Sequence, residues 1–172
     1  MSLEFNQLIA QARAMASDKP LKTIRVAILG DAATQFLNKA LVSAGRLHEL
    51  DFEVFEADHA QIERQVFDPT SELYAFEADF ALISFTTKKQ KGKFYGLPIA
   101  EKNSFATNFL KTTAQLCDAI GQRSKAKVLF CNLEILDDQV FGSFGNKVRD
   151  SFLNQLRRIN VGLMDLAEQQ GN

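Results

Sequence analysis

Between Ile24 and His48 the spacing of apolar residues changes once, and that change sets the architecture. Ile24, Val26, Ala27, Ile28 and Leu29 alternate and then run continuously, the pattern of a strand buried in a sheet. Gly30-Asp31 breaks the run. Phe36, Leu37, Ala40, Leu41 and Ala44 then recur at helical spacing, which predicts a helix over Thr34–Leu47 with these five inward and Thr34 as its N-cap. Strand, tight glycine turn and helix open an α/β domain with a parallel sheet.

The same reading extends along the chain. Residues 1–20 form an amphipathic helix with Leu8, Ile9, Ala12, Met15 and Ala16 on one side, ended by Asp18-Lys19-Pro20. Strands are predicted at Thr23–Leu29, Phe52–Ala57, Phe80–Phe85 and Lys127–Cys131. A short helix over Ala60–Phe67 leads into the turn cluster Asp68-Pro69-Thr70-Ser71 and a further short turn at Leu73–Glu77. Thr86–Pro98 reads as a long wet loop. A helix over Glu101–Ile120 is stopped by Gly121 as a left-handed cap. Asn132–Gly145 is irregular. A last helix over Lys147–Gln170 has Phe152, Leu156, Ile159, Leu163 and Leu166 as its apolar face.

Four strands alternating with helices make right-handed crossovers. Residues 21–172 are therefore expected to form one α/β domain, a three-layer sandwich around a parallel sheet of flavodoxin-like order 2-1-3-4. Such a sheet calls for a fifth strand, and none precedes Gln170-Gly171-Asn172. The chain is therefore expected to be a fragment of a longer protein, cut before the last strand; the alternative is a complete four-stranded sheet.

Composition narrows the function classes. A chain of 172 residues with 46% apolar content fits one domain with a real core. With 20 basic and 21 acidic residues its net charge is -1, against a nucleic-acid binder. No apolar run spans a membrane, and the N-terminus has no signal-peptide pattern, so the cytoplasm is the expected location and no membrane partner is expected. Cys117 and Cys131 lack metal spacing and read as buried reduced thiols. No metal is expected from them.

Ligands of parallel sheets bind beyond the carboxyl ends of the strands. Gly30, Asp31 and Thr34 can hold an anion on backbone N–H groups, or they are a turn with Asp31 bonding locally. Thr86, Thr87, Lys88, Lys89, Lys91, Lys93, Phe94 and Tyr95 can bind an acidic carrier protein or a phosphate, or form a solvated loop. His59, after Asp58, can serve as a base or sit idle at the surface, as His48 can. Glu134, Asp137 and Asp138 can join Asp31 around a divalent cation, or remain solvated. Asn132, at the end of the fourth strand, is a polar candidate.

Gly30-Asp31-Ala32-Ala33-Thr34 resembles the GDSxT block of the SGNH hydrolases, with alanine where that family has its nucleophilic serine. Alanine has no nucleophilic atom, so serine catalysis at position 32 is excluded. The family's glycine after the second strand is missing from Ala57-Asp58-His59, and its GxND block is replaced by Ser84-Phe85-Thr86-Thr87-Lys88. Its DxxH block would fall beyond Asn172. The resemblance supports the fold and argues against the activity.

A second resemblance covers nearly the whole chain. Phe55-Glu56-Ala57-Asp58-His59-Ala60-Gln61, then Asp68-Pro69-Thr70-Ser71-Glu72-Leu73-Tyr74-Ala75-Phe76-Glu77-Ala78-Asp79, is similar to the N-terminal domain of FkbH-like proteins. At Glu77-Ala78-Asp79 that family favours proline. The resemblance implies an SGNH-like module ahead of a haloacid-dehalogenase-type (HAD) phosphatase domain that carries an aspartate nucleophile and Mg²⁺. It implies loading of a phosphoglycerate-derived three-carbon unit onto acyl carrier protein, or polysaccharide and natural-product assembly. The DxDxT nucleophile motif is absent here. The expected role is a non-catalytic module that positions substrate or carrier protein, with no cofactor of its own, Lys88, Lys89, Lys91, Lys93 and Tyr95 facing the partner. The alternative is a divergent hydrolase that uses Asp31, His59 or a residue beyond the chain end.

Overall fold

The structure is a computed structural model that describes residues 4–14, 21–58 and 60–170, the last by its backbone only. In order, the elements are α1 (Phe5–Ala14), β1 (Lys22–Gly30), α2 (Gln35–Leu47), β2 (Leu50–Glu56), α3 (Ile62–Phe67) and α4 (Glu72–Ala75). There follow β3 (Phe80–Ser84), α5 (Thr87–Tyr95), α6 (Ile99–Lys102), α7 (Phe105–Arg123), β4 (Lys127–Phe130) and α8 (Phe152–Gln170). All strand pairs are parallel and the order is β2-β1-β3-β4, as the alternation of elements predicts. Met15, Ala16, the Asp18–Pro20 break, His59 and Gly171 lie outside the described residues.

Register assigns the faces. Ala27 is level with Phe55 and Ala81, and Ala81 with Val128. Side chains of this parity enter the main core with Val66, Leu73, Leu116 and Ile120 from α3, α4 and α7. The opposite parity runs Phe52, Ile24 and Val54, Val26. There α2 packs on β2, with Gly45 against the Phe52 ring, and α1 packs on α2. Helices therefore flank the sheet on both faces. Toward β4 the α2 face opens, and Leu129 is 44% exposed. No described helix is long and apolar enough to cross a membrane.

A second core lies beyond the sheet. Phe94 of α5, Phe105 of α7, and Phe152, Leu156 and Ile159 of α8 pack together with Leu133. This core corrects the wet loop expected at Thr86–Pro98. Thr87, Gln90 and Phe94 are all buried, at spacings of three and four, so they form one stripe of a helix. The lysines fill the positions between them.

Other boundaries also move. The helix expected from Glu101 is interrupted at Asn103-Ser104. The buried Gln155 side chain accepts the Ala106 N–H at 2.8 Å and donates to the carbonyls of Arg149 at 2.7 Å and Asn103 at 3.3 Å. It thereby closes the start of α7. Gly121 does not stop α7, which runs to Arg123. Ser124 ends it by donating its N–H and its hydroxyl to the Ile120 carbonyl. The last helix begins at Phe152 rather than Lys147. Phe36 and Leu37 face outward, at 70% and 40% exposure, with the Phe36 ring edge-on to Phe5. Cys117 is buried, whereas Cys131 is exposed.

Two glycines test this packing. A Cβ on Gly45 would run into the Phe52 ring and approach the Leu50 carbonyl oxygen to 3.2 Å. Overpacking then outweighs the better helix propensity of alanine, and Gly45→Ala should lower stability by about 1–2 kcal/mol. A Cβ on Gly121 meets nothing within 4 Å, so Gly121→Ala should raise stability by up to ~1 kcal/mol. Denaturant midpoints decide both. A loss at Gly121 would restore the helix-stop reading.

Candidate functional site

The carboxyl ends of β1 and β3 meet at Gly30 and Ser84. A Cβ on Gly30 would lie 2.5 Å from Thr34 Cγ2 and 2.9 Å from the Ala32 carbonyl oxygen, so only glycine fits this turn. Asp31 follows, 6% exposed. Its N–H donates to the Ser84 carbonyl at 3.0 Å. Its carboxylate accepts the Thr86 N–H on Oδ1 at 2.9 Å and the Gln90 side-chain amide on Oδ2 at 3.1 Å. The Lys89 ammonium donates to the Asp31 carbonyl. Asp31 thus serves α5, not α2. Its charge sits at the N-terminus of α5, where the helix dipole favours an anion.

Thr34 stands at the N-cap position of α2 but makes no side-chain cap bond. Its hydroxyl donates instead to Glu56 Oε1 at 2.5 Å, and Asn38 donates to Glu56 Oε2 at 3.1 Å. Glu56 ends β2, so this second carboxylate ties α2 to the neighbouring strand.

The start of α5 is also fixed from the β4 side. The Thr87 hydroxyl donates to the Glu134 carbonyl at 2.9 Å. Asn160 of α8 receives the Leu133 N–H at 2.8 Å and donates to the Leu133 carbonyl at 2.7 Å. At the far end of α5 the Tyr95 hydroxyl donates to the Asp138 carboxylate. Lys91 and Lys102 lie 5.9 and 5.0 Å from the Tyr95 ring centroid.

A family model described as FkbH, N-terminal domain, matches residues 25–172. The chain belongs to the FkbH N-terminal domain family. A solved structure matches it with a TM-score of 0.86 and 33% identity over 98% of the chain. It is the N-terminal part of the protein BF1531 from Bacteroides fragilis, containing a phosphatase domain and complexed with Mg. This chain spans 43% of that one. No curated protein matches it.

The phrase that carried the FkbH resemblance folds as a brace between α3, α4 and α7. Asp68 accepts the Thr70 N–H at 2.8 Å and its hydroxyl at 2.7 Å, and the Thr70 hydroxyl, then its N–H, holds the Asp68 carboxyl below its usual range. The Ser71 hydroxyl donates to the Gln65 carbonyl at 2.6 Å, and Tyr74 to the Val66 carbonyl at 2.5 Å. In this FkbH domain the family phrase therefore makes a local structure.

The candidate residues separate into groups. Gly30, Asp31, Thr86, Thr87 and Lys89 meet where β1 joins the start of α5, with Thr86 on the Asp31 carboxylate, Lys89 on the Asp31 carbonyl and Thr87 on the Glu134 carbonyl, and Thr34 belongs to the Glu56 pair. Lys88 and Lys93 are exposed and Lys91 half-buried on α5. Asn132 is exposed. His59 lies outside the described residues. His48 is exposed at the end of α2, opposite the carboxyl ends of the strands. The cation cluster does not assemble. Asp31 is occupied at α5, Asp138 holds Tyr95, and Asp137 accepts the Gln139 N–H at 2.9 Å. Among the described residues no group of three or more His, Cys, Asp or Glu is placed to hold a metal.

Sequence reasoning passed over Gln90, Glu56 and Asn38. Gln90 carried a signal, four residues before Phe94 at helical spacing. Glu56 carried one too, as an acid closing the strand beside β1.

Removing the Asp31 carboxylate leaves the Thr86 N–H and the Gln90 amide, 2% exposed, without their acceptor. Asp31→Ala should cost about 2–4 kcal/mol by denaturant midpoint. Asp31→Asn should cost roughly half as much, because its amide oxygen can still accept a bond and Gln90 can turn its own oxygen inward. Equal, near-zero losses would mean that α5 is held by packing alone. Burial, then the bond and charge of Asp138, push the Tyr95 phenol up to about 12. Its ordinary value is about 10. The folded chain therefore holds this proton longer than the unfolded one. The resulting stability is complete below about pH 10 and is lost as pH rises through about 12. Phenolate absorbance should show a component near pH 12 that Tyr95→Phe removes and Asp138→Asn shifts downward. A Tyr95 midpoint near 10 would contradict this.

Proposed function

We propose that this FkbH N-terminal domain is a non-catalytic module of a longer protein, joined in cis to a HAD-type phosphatase domain that holds Mg²⁺. Its N-terminal helix contains α1, Phe5–Ala14, and its α/β body contains the elements from β1 to α8. Its work is to position substrate or acyl carrier protein for a phosphatase or acyl-loading reaction on a phosphoglycerate-like three-carbon unit. One observation carries the reading. The position equivalent to a nucleophile is Ala32, and the acid beside it is spent on holding α5, both of its oxygens engaged. A turn so occupied supplies no nucleophile and no open base. The phosphatase domain in the BF1531 fragment supports the cis arrangement.

What remains for recognition on this side is α5. Lys88, Lys91 and Lys93 extend outward from it, and carrier proteins are acidic. Lys89 differs, because its ammonium is used on the Asp31 carbonyl. Replacing it would disturb the fold, so binding tests exclude it.

Acyl carrier protein should bind weakly, with affinity falling as salt screens exposed charges beyond about 8 Å at physiological ionic strength. The triple change Lys88→Glu, Lys91→Glu, Lys93→Glu should weaken binding at least tenfold at low salt while leaving the denaturant midpoint unchanged. Titration of carrier protein against both forms at low and high salt checks this. Equal affinity in all four conditions removes α5 as the docking face. In the same preparation, turnover of a nitrophenyl ester above a buffer blank would overturn the non-catalytic reading.

A further inference from the structure

The segment between β4 and α8 combines two properties that oppose each other. It is well tethered, and it presents large apolar side chains to water. Ile135, Leu136, Val140, Phe141 and Phe144 are all exposed, Val140 and Phe144 by 60 and 63%. Single exposed apolar residues are ordinary, but five within ten positions make a patch of the kind that marks an interaction surface. Free-swinging loops bury such residues when they can. This one is tied down along its length by the Asn160 bonds to Leu133, the Thr87 bond to Glu134 and the Tyr95 bond to Asp138. At its far end the Ser151 hydroxyl donates to the Gly145 carbonyl, and Asn154 donates to the Asn146 carbonyl at 2.6 Å. Left-handed residues at Gln139 (φ 57°) and Gly142 (φ 47°) bracket Val140 and Phe141. Holding a non-glycine residue there costs about 1 kcal/mol, a cost the surrounding bonds must offset.

We propose that residues 135–144 are the docking surface for the phosphatase domain of the same polypeptide. This rests on the reading that such a domain follows in cis. The solved relative argues for that occupant over others. More than half of its chain lies outside the match, and that chain contains a phosphatase domain. Position argues for it as well. The patch adjoins the carboxyl ends of the strands through Glu134 and α5 through Asp138, so a domain seated on it stands beside the exposed lysines of α5. A carrier protein held by those lysines would then lie within reach of that domain's active site.

Hydroxyl-radical footprinting of the full polypeptide tests this by side-chain exposure. Phe36, 70% exposed on α2, is the internal reference. Phe141 and Phe144 should label at least fivefold more slowly than Phe36, and Val140→Asp should restore their labelling. Labelling of Phe141 and Phe144 at the Phe36 rate overturns the proposal. So does protection that Val140→Asp does not release, because another contact then covers the rings. Protection that fades on dilution identifies a second copy as the occupant and overturns it too. A full polypeptide whose sequence encodes no phosphatase domain would overturn the cis reading itself, before any labelling.

Discussion

The buried Asp31 carboxylate joins two parts of the molecule that otherwise share little. On one side is β1, whose backbone is fixed in the sheet between β2 and β3. On the other is α5, a nine-residue helix with four lysines and one glycine between its buried positions. A helix that short is marginal by itself. It persists here because its first turn is tied through the Thr86 N–H and Gln90 to Asp31, and its last turn inserts Phe94 among Phe105 and Phe152. Taking a carboxylate out of water is costly, and two donors plus the positive end of α5 offset that cost. Each half makes the other tenable.

This coupling explains why the fold was more legible than the site. Strand order follows from continuous apolar runs at Val26–Leu29 and Phe80–Ile83, which local pattern reveals and which long crossovers constrain to one hand. The β4 segment, with Lys127 exposed and Val128 buried, alternates as an edge strand should. None of this needs knowledge of distant partners. By contrast, Thr86–Tyr95 reads as solvated because lysine dominates its composition. Its helix depends on Asp31, 55 and 59 residues away along the chain from its partners Thr86 and Gln90. Phe36 and Leu37 failed for a related reason. Helical spacing gives the direction of a stripe but not its width, and the narrow contact of α2 on β2 leaves its first turn to α1 and water.

The chemistry of the turn depends on the same geometry. Gly30 is required by the close approach of Thr34 and the Ala32 carbonyl, whether or not a nucleophile follows it. Asp31 is required by α5. Both residues of a catalytic-looking block are thus explained by packing and hydrogen bonding, with Ala32 the position where reactivity would have to reside. A motif of this kind reports the turn more reliably than the reaction.

The lysines of α5 divide by the same logic. Lys89 is drawn in to the Asp31 carbonyl, at the carboxyl end of β1. Lys88 and Lys93 lie on the exposed side, where a charge costs little and reaches furthest. Because one face of α5 is committed to Asp31 and to the packing of Phe94, the orientation of the other is set by those contacts. A basic surface fixed in this way can direct an acidic partner in one orientation, which a mobile loop of the same composition would not do. The buried acid thereby decides, at a distance from itself, which lysines are left to face outward.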